Sequence, residues 1–282
     1  MMLDRAALPD ALSHYRKHGY AVVRGVFSRA ETVDLGAAFD RHWTEGMAHS
    51  SSFRHGNLHY RLGVDPKLGK VVRLVQWPSY SDATLERARR DPRIFEILEP
   101  LLGRDIKQII NQLHWKPPGA ASANFAFHQD ARFRRPPDAY RNLATSYVQT
   151  GIAVDRHSPA NGAMLVVPGS HGLGELVIPA PDHILDGSPE TAALEAAGLD
   201  HATAVELGPG DVALWNVFLV HGSGPNVTLG DRRFYLNGYV RSADCDRGEW
   251  AFRDGKPVAL GVPTLVHYDD LFERPDPHYI ED

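Results

Sequence analysis

The chain has 282 residues, of which 43% are apolar and 23% are charged, and its formal net charge is -5. This balance describes a protein that can bury a core, and the charge provides no long-range attraction for nucleic acid or an anionic membrane. The single cysteine, Cys245, excludes an internal disulfide framework and a cysteine-rich zinc site. The expected partner is therefore a small molecule.

The start of the sequence lacks the apolar core of a secretory signal, and no stretch reaches the roughly 18 apolar residues of a membrane span. These features favour a cytoplasmic protein without a membrane partner. One elaborated domain over residues 1–282 is expected, because β-rich folds of this length are often single domains. The expected assembly is a monomer or a homodimer.

The N-terminal part carries several helix signals. A first helix is expected between Pro9 and Gly19, and a second begins at Ser28, because Ser28 and Glu31 have capping-box spacing. The β-branched run YAVVRGVF lies between these helices and predicts a strand. A further helix follows Asp91 and repeats apolar residues on one face, which should pack against a sheet.

Short β-rich runs separated by Gly, Pro and Asn then follow, from IKQIINQLHWK to RFYLNGYVR. Regularly spaced short strands without alternating helices predict an antiparallel sandwich or barrel. We expect this β-rich core over about residues 104–245, preceded by a mainly helical part over about residues 1–103.

The segment FHQD places His128 and Asp130 two residues apart. On a strand these side chains would point to the same face. They would then supply two ligands of a 2-His-1-carboxylate site, which suits iron(II) and leaves coordination positions open. Such triplets are also common on solvated strands and turns, so the triplet alone does not predict a site.

A third ligand is indicated by His221, which ends an apolar run and precedes small residues. A lone histidine beside apolar residues is also common as a satisfied core side chain. Arg232 and Arg233 follow at the start of another predicted strand and must point to opposite faces. The inward one could hold a carboxylate through two parallel hydrogen bonds, although both could equally be ordinary surface charges.

Taken in order, five motifs resemble the phytanoyl-CoA dioxygenase family of iron(II)- and 2-oxoglutarate-dependent oxygenases, which includes ectoine hydroxylase. They read HGYAVVRGVFS, KPPG, FHQD, NGAMLVVPGSHGLG and HGSGPNVTLGDRR, and they cover roughly residues 15–241. The resemblance implies a mainly β fold, with a double-stranded β-helix (a cupin-like jelly roll) as its core and N-terminal helices at its flank.

The resemblance also implies roles for individual residues. Three match the family's iron ligands, and no catalytic residue is implied beyond them: His128, Asp130 and His221. Three others match cofactor-binding positions: Arg232 for the distal carboxylate of 2-oxoglutarate, Ser223 as an aid to that arginine, and Gln112 as a strand position that touches the cosubstrate.

One departure concerns a tryptophan that family members commonly carry about ten residues before the NG pair, because this chain has Gly151 near that place. A small residue there is expected to enlarge or reshape the pocket. Asn161, Gly162 and Gly169 are expected to be structural residues of a strand and tight turn, and His171 is not expected to be a ligand.

The implied activity is hydroxylation of a C–H bond with iron(II), oxygen and 2-oxoglutarate, which releases succinate and carbon dioxide. Asp130 favours this reaction over halogenation, because related halogenases replace the carboxylate with a small residue so that chloride can bind iron. Two alternatives stay open: a non-catalytic binding protein on the same fold, and a cupin-like metalloenzyme that does not use 2-oxoglutarate and needs no role for Arg232.

The expected substrate is a small polar or anionic metabolite such as an amino acid, an organic acid or a phosphonate. It follows from a predicted pocket mouth rich in arginine, histidine and aromatic residues, although such side chains are often only a solvated face or structural ion pairs. The residues concerned are His55, His59, Arg61, Arg73, Gln76, Trp77, Tyr80 and the FRRPP segment after the metal pair.

Overall fold

The computed structural model describes residues 4–120, 123–179 and 187–261. Its strands are β1 (Tyr20–Val23), β2 (Phe53–His55), β3 (Leu58–Asp65), β4 (Gly69–Gln76), β5 (Ile106–Lys116), β6 (Phe125–His128), β7 (Tyr147–Ala153), β8 (Met164–Val166), β9 (Thr203–Val205), β10 (Val212–Trp215), β11 (His221–Ser223), β12 (Arg232–Arg241), β13 (Glu249–Arg253) and β14 (Lys256–Pro257). Its α-helices are α1 (Leu8–His18), α2 (Arg29–Ala48), α3 (Ala83–Arg89), α4 (Pro92–Leu102), α5 (Leu143–Ser146) and α6 (Thr191–Ala196).

Two antiparallel sheets form the centre of the molecule. The larger sheet has the strand order β1-β10-β7-β12-β5-β4-β3-β2, with β13 and β14 attached beside β5, and the smaller sheet has the order β6-β11-β8-β9. Apolar side chains from both sheets form one buried cluster, which includes Met164 and Val205 of the smaller sheet and Trp215 and Phe234 of the larger. The expected mainly β jelly-roll fold is confirmed.

The other face of the larger sheet is covered by helices. Leu35 and Phe39 of α2 and Ile97 of α4 belong to one buried cluster with Leu113 of β5 and Tyr235 of β12. This arrangement confirms that the helix after Asp91 packs its apolar face against a sheet. No helix within the described ranges is long and apolar enough to cross a membrane.

The helix boundaries agree with the capping signals in the sequence. Helix α1 ends at Gly19, which adopts the left-handed conformation (φ 82°) and donates its N–H to Tyr15. Helix α2 begins with the predicted capping box, since the Ser28 side chain accepts from the Glu31 N–H and the Glu31 carboxylate accepts from the Ser28 N–H. Local side-chain chemistry therefore sets both boundaries.

The expectation that residues 1–103 are mainly helical is wrong for residues 53–76. This segment forms β2, β3 and β4, which extend the larger sheet beyond β5. Its side chains alternate: Tyr60 and Val75 belong to the core cluster under the helices, whereas His59 and Gln76 line a cavity on the opposite face. Because one face of these strands is polar, the segment resembles a loop when hydrophobicity alone is considered.

The capping box gives a stability prediction. Replacement Ser28→Ala removes the side-chain acceptor for the Glu31 N–H and should lower the free energy of unfolding by about 1 kcal/mol, measured by denaturant titration. Ser28→Asp keeps an acceptor at the same place and serves as the control, with stability close to that of the wild type. Equal losses in the two variants would contradict the assigned cap.

Candidate functional site

A cavity of about 540 Å³ opens between the two sheets. Its volume lies within the range of roughly 300–1,000 Å³ that is typical of small-molecule sites. The cavity wall brings together all six site residues predicted from the sequence: Gln112, His128, Asp130, His221, Ser223 and Arg232. They come from both sheets, so the site depends on how the sheets face each other.

Strand pairing in the smaller sheet brings the two predicted histidine ligands together. His221 on β11 lies directly opposite His128 on β6, and their ring centroids are 4.2 Å apart. The Nδ1 atom of His128 lies 2.7 Å from the Ala126 carbonyl oxygen, and that of His221 lies 2.9 Å from the Leu219 carbonyl oxygen. A carbonyl oxygen only accepts, so both rings donate from Nδ1 and keep the Nε2 lone pair in the neutral state.

Asp130 completes the cluster from a different element than expected. Strand β6 ends at His128, and Asp130 begins a 3-10 turn, so the two side chains do not share a strand face. The turn nevertheless leaves one carboxylate oxygen 3.6 Å from His128 Nε2 and the other 3.8 Å from His221 Nε2. The indole N–H of Trp215 donates to Asp130 Oδ2 at 3.0 Å and fixes its orientation.

The charge states of these groups suit a metal. Burial alone would raise the pKa of Asp130, but His221 and His128 outweigh it and hold that pKa below its ordinary value. The pKa of His221 is lowered to about 4, chiefly by burial. The neighbouring His128 also lowers this pKa, and its effect is larger than the opposite effect of the Asp130 carboxylate. At neutral pH the cluster therefore offers an ionised carboxylate and a neutral imidazole.

The donor set fits iron(II). One ligand atom from each of the three residues lies within 4.8 Å of the other two. Two imidazole nitrogens and one carboxylate are the ligands of non-haem iron(II) sites with open positions, and backbone acceptors on Nδ1 orient such histidines. Gln129, between the two ligands in sequence, turns away from the cluster, and its amide donates to the Gly174 and Phe218 carbonyl oxygens.

A buried cation lies in the same cavity at the start of β12. Arg232 is 4% exposed, its Nε has no hydrogen-bond partner among the described residues, and its guanidinium carbon lies 5.1 Å from the Phe234 ring centroid. Burial lowers the pKa of Arg232 to about 9, against the opposing effect of Asp155. The guanidinium therefore stays charged at neutral pH and suits a carboxylate ligand.

Arg233 points to the opposite face, as the strand geometry predicted. Its guanidinium pairs with Asp155, at 2.9 Å from Nε to Oδ2, and with Asp40 of α2, at 3.0 Å. These ion pairs fasten β12 to the helical layer. Of the two adjacent arginines, only Arg232 lines the cavity in the described part of the chain.

Lys116 is a neighbour of this site that the sequence reasoning did not single out. It lies opposite Arg232 in the β5–β12 register and is fully buried. Its Nζ donates to Ser223 Oγ at 2.7 Å and to the Gly224 carbonyl oxygen. The sequence did contain a signal for Lys116, because this residue begins the KPPG motif. Its hydrogen-bond partners lie far away in the chain, however, and cannot be predicted from the neighbouring sequence.

The motif between residues 161 and 169 is structural, as expected. Asn161 closes a capping box with Ser158, and Gly162 and Gly169 both have positive φ angles, at 77° and 83°. A Cβ at Gly162 would collide with the Gly224 carbonyl oxygen and with the Lys116 side chain. His171 lies outside the cavity wall, with Nε2 3.3 Å from the Arg16 carbonyl oxygen.

Two further cavity residues, His114 and Trp215, were also missed. His114 lies beside Gln112, with His114 Nε2 2.9 Å from Gln112 Oε1, and burial together with Arg232 lowers the pKa of His114 to about 3. It is therefore a neutral polar group in the cavity wall, close enough to Arg232 and Asp130 for both charges to act on it. Trp215 orients Asp130 from β10, a strand that carries no polar motif in the sequence.

Only some of the residues predicted to form the pocket mouth line the cavity in the structure. His59, Arg61 and Gln76 line the cavity, and so do the arginines of the FRRPP segment. Tyr80 instead donates to Glu249 at 2.5 Å, and Trp77 is buried, while Arg73 packs against Gly63. The side chain of His55 lies outside the described part of the structure.

Gly151 does not enlarge the pocket, so of the two expected effects only reshaping applies. A Cβ placed at Gly151 would overlap the ring of Phe234, which comes from the neighbouring strand β12. The ring lines the cavity and stacks on Trp215 with a centroid distance of 6.1 Å. Space freed by the glycine is thus filled by Phe234, and the pocket is reshaped rather than widened.

Comparisons with known proteins identify a family for this chain. The family described as phytanoyl-CoA dioxygenase (PhyH) matches residues 15–234. A probable alpha-ketoglutarate-dependent hypophosphite dioxygenase of Stutzerimonas stutzeri is 33% identical over 178 residues, which are 61% of this chain and 58% of that protein. The chain spans about half the length of the first curated relatives that it matches.

Solved structures share the fold. The epimerase SnoN in complex with Fe3+, alpha ketoglutarate and nogalamycin RO is similar with a TM-score of 0.62 and 22% identity, over 93% of this chain and 98% of that one. The crystal structure of EctD from S. alaskensis with 2-oxoglutarate and 5-hydroxyectoine has a TM-score of 0.64 and 19% identity, over 95% of this chain and 87% of that one.

The contact between Gly151 and Phe234 can be tested by a double-mutant cycle. Gly151→Ala forces a methyl group into the Phe234 ring and should lower the free energy of unfolding by about 1–3 kcal/mol. In a Phe234→Leu background the same change should cost clearly less, because the ring is gone. Denaturant titrations of the four proteins give the coupling, and a coupling of zero would contradict the assigned contact.

Proposed function

Because the chain belongs to the phytanoyl-CoA dioxygenase family, we propose that it is an iron(II)- and 2-oxoglutarate-dependent dioxygenase that hydroxylates a small polar or anionic metabolite. The observation that carries the proposal is the shared cavity. It combines a 2-His-1-carboxylate cluster with a buried guanidinium, and these are the two features that such a reaction requires.

In this proposal His128, Asp130 and His221 hold the metal. When bound, iron(II) supplies oxygen activation, which couples decarboxylation of 2-oxoglutarate to succinate and carbon dioxide with hydroxylation of the substrate. The protein supplies the orientation of these ligands. Backbone carbonyls fix both imidazoles, and Trp215 fixes the carboxylate.

The cosubstrate site lies at the start of β12. Arg232 holds the distal carboxylate of 2-oxoglutarate, and Ser223 and Gln112 contribute polar contacts from the same cavity wall. Lys116 donates a hydrogen bond to the Ser223 hydroxyl and so holds its orientation. The Phe125, Met164 and Phe234 side chains form the apolar part of the wall, which keeps water away from the reacting groups.

The other functions are supported less well. Halogenation requires a coordination position on iron where chloride can bind, and in this chain the Asp130 carboxylate would occupy that position. A metalloenzyme that does not use 2-oxoglutarate would give no reason to bury Arg232 without a described carboxylate partner for its guanidinium. A binding protein without turnover predicts no iron binding or no decarboxylation of 2-oxoglutarate, and iron binding and succinate formation, measured below, test both.

A small-molecule substrate is consistent with the relatives, and the name of the Stutzerimonas stutzeri protein makes hypophosphite a first compound to test. A single domain over residues 1–282, a cytoplasmic location, a monomeric or homodimeric assembly and the lack of a nucleic-acid partner remain predictions from the sequence.

The cosubstrate site is tested by comparing two adjacent arginines. Arg232→Ala removes a charged, bidentate donor worth about 1.5–3 kcal/mol, so 2-oxoglutarate should bind roughly 10- to 100-fold more weakly in calorimetric titrations. Arg233→Ala removes the same charge from the outer face and should change this affinity by less than about twofold, although it lowers stability. Equal effects on affinity would contradict the assignment.

The metal site is tested by iron binding and by succinate formation. His128→Ala removes one of three ligands and should weaken metal binding by at least about 100-fold, because even outer partners of ligands are worth 10- to 100-fold. His201→Ala, at an exposed histidine, is the control and should bind iron like the wild type. A folded wild-type protein that binds neither iron nor 2-oxoglutarate would exclude the proposed function.

A further inference from the structure

The cavity has a strong excess of positive charge. Six arginines line it, whereas Asp130 is the only acidic residue among its described lining residues. Three of the arginines, Arg132, Arg134 and Arg135, come from the turn directly after Asp130 and lie close to the metal cluster in sequence. The three differ in burial and in hydrogen-bond partners, and these differences single out Arg134 as a candidate ligand-binding residue.

Arg134 is buried without an ion-pair partner, although its charge acts on the nearby Asp130 carboxylate. It is 3% exposed, its Nε has no hydrogen-bond partner, and its guanidinium makes no hydrogen bond or ion pair with any residue that the structure describes. Its guanidinium carbon lies 5.0 Å from the centroid of the Tyr147 ring. A guanidinium cannot escape this situation by losing its proton, so a buried one calls for an anion.

The neighbouring arginines have other environments. Arg132 is half-buried, with its guanidinium 5.4 Å from the Phe133 ring centroid, and Arg135 is exposed and donates to the Arg134 carbonyl oxygen at 3.1 Å. Water can solvate both charges. Arg54, a buried arginine on the far wall, lies 3.1 Å from His59 Nδ1.

The position of Arg134 is fixed relative to the metal cluster. Its N–H donates to the Ala131 carbonyl oxygen at 3.0 Å, and the Ala131 N–H donates to the Val217 carbonyl oxygen at 3.1 Å. The turn is therefore attached to the segment that connects β10 with β11, which carry Trp215 and His221. The Tyr147 ring limits the guanidinium on one side.

A count of charges in the loaded site leaves Arg134 unmatched. A divalent metal and Arg232 together carry three positive charges, and Asp130 and the 2-oxoglutarate dianion carry three negative ones. Lys116 does not line the cavity, and burial holds its pKa well below the ordinary value. Among the three arginines that follow Asp130, Arg134 is the buried one, and its charge is additional to this balanced set.

We propose that Arg134 binds the anionic group of the substrate, and that this group is a singly charged oxyanion that presents at least two oxygens on one atom. Carboxylates and singly charged phosphonates or phosphinates have this chemistry, and both accept the two parallel hydrogen bonds that a guanidinium donates. The inference rests on the proposed function, because it takes Arg232 to be occupied by 2-oxoglutarate.

The test measures binding rather than turnover. Wild-type protein is loaded with zinc, which does not support oxidation, and with saturating 2-oxoglutarate, so that Arg232 is occupied. Binding of propionate, methylphosphonate and uncharged propionamide is then followed by ligand-observed NMR in the wild type and in the Arg134→Gln, Arg134→Lys and Arg132→Gln variants. Calorimetry gives the 2-oxoglutarate affinity of each protein and confirms that it is folded.

We expect Arg134→Gln to weaken binding of the anion by about tenfold or more, since a charged hydrogen-bond partner is lost. Arg134→Lys should restore part of the affinity, and Arg132→Gln should keep it within about twofold. The relative affinity of propionate and methylphosphonate then shows whether the planar or the tetrahedral group fits better.

Two results would overturn the inference. One is equal loss of anion binding in Arg132→Gln and Arg134→Gln, which would indicate a diffuse positive potential. The other is binding of propionamide as tight as that of propionate. Failure of 2-oxoglutarate to bind to the wild type would instead reject the proposed function, so the two failures are distinguishable.

Discussion

The pairing of β6 with β11 is the constraint on which the candidate site depends. It places His221 directly opposite His128, and a shift of one residue would turn a ring to the other face of the sheet. Strand β11 also pairs with β8 along its other edge, so His221 is held between two neighbours. The short strand can therefore present an imidazole with little freedom, although only three residues form it.

Burial lowers the pKa values of the basic groups in and around the cavity, and its consequence differs between histidine and arginine. It lowers the pKa of His114 and His221 enough to make both neutral at physiological pH, and it acts on Lys116 in the same direction. Arginine resists this effect, since even Arg232 keeps a pKa of about 9. The positive charges that line the cavity are therefore those of arginines.

How much was predictable depended on the range of the interaction. The cap of α2 and the end of α1 follow from residues three or four positions apart, and the sequence predicted both. Family motifs predicted the fold, and they singled out six residues that the structure brings together in one cavity. Strands β3 and β4 were not predicted, because one face of each is polar. Asp130 was expected on a strand, but β6 ends at His128 and Asp130 begins a turn. Trp215 and Lys116 were missed because their partners lie across a sheet.

The Gly151 position shows why such cross-strand effects resist prediction. A glycine in place of a large aromatic residue indicates empty space when one strand is considered alone. In the folded sheet, Phe234 fills that space from β12 and touches three parts of the site: Trp215, which holds the Asp130 carboxylate, the Arg232 guanidinium and the backbone of Gly151 itself. Because one ring packs against both the metal support and the cosubstrate cation, the glycine is required by the site rather than merely tolerated, and the two ends of the cavity cannot vary independently.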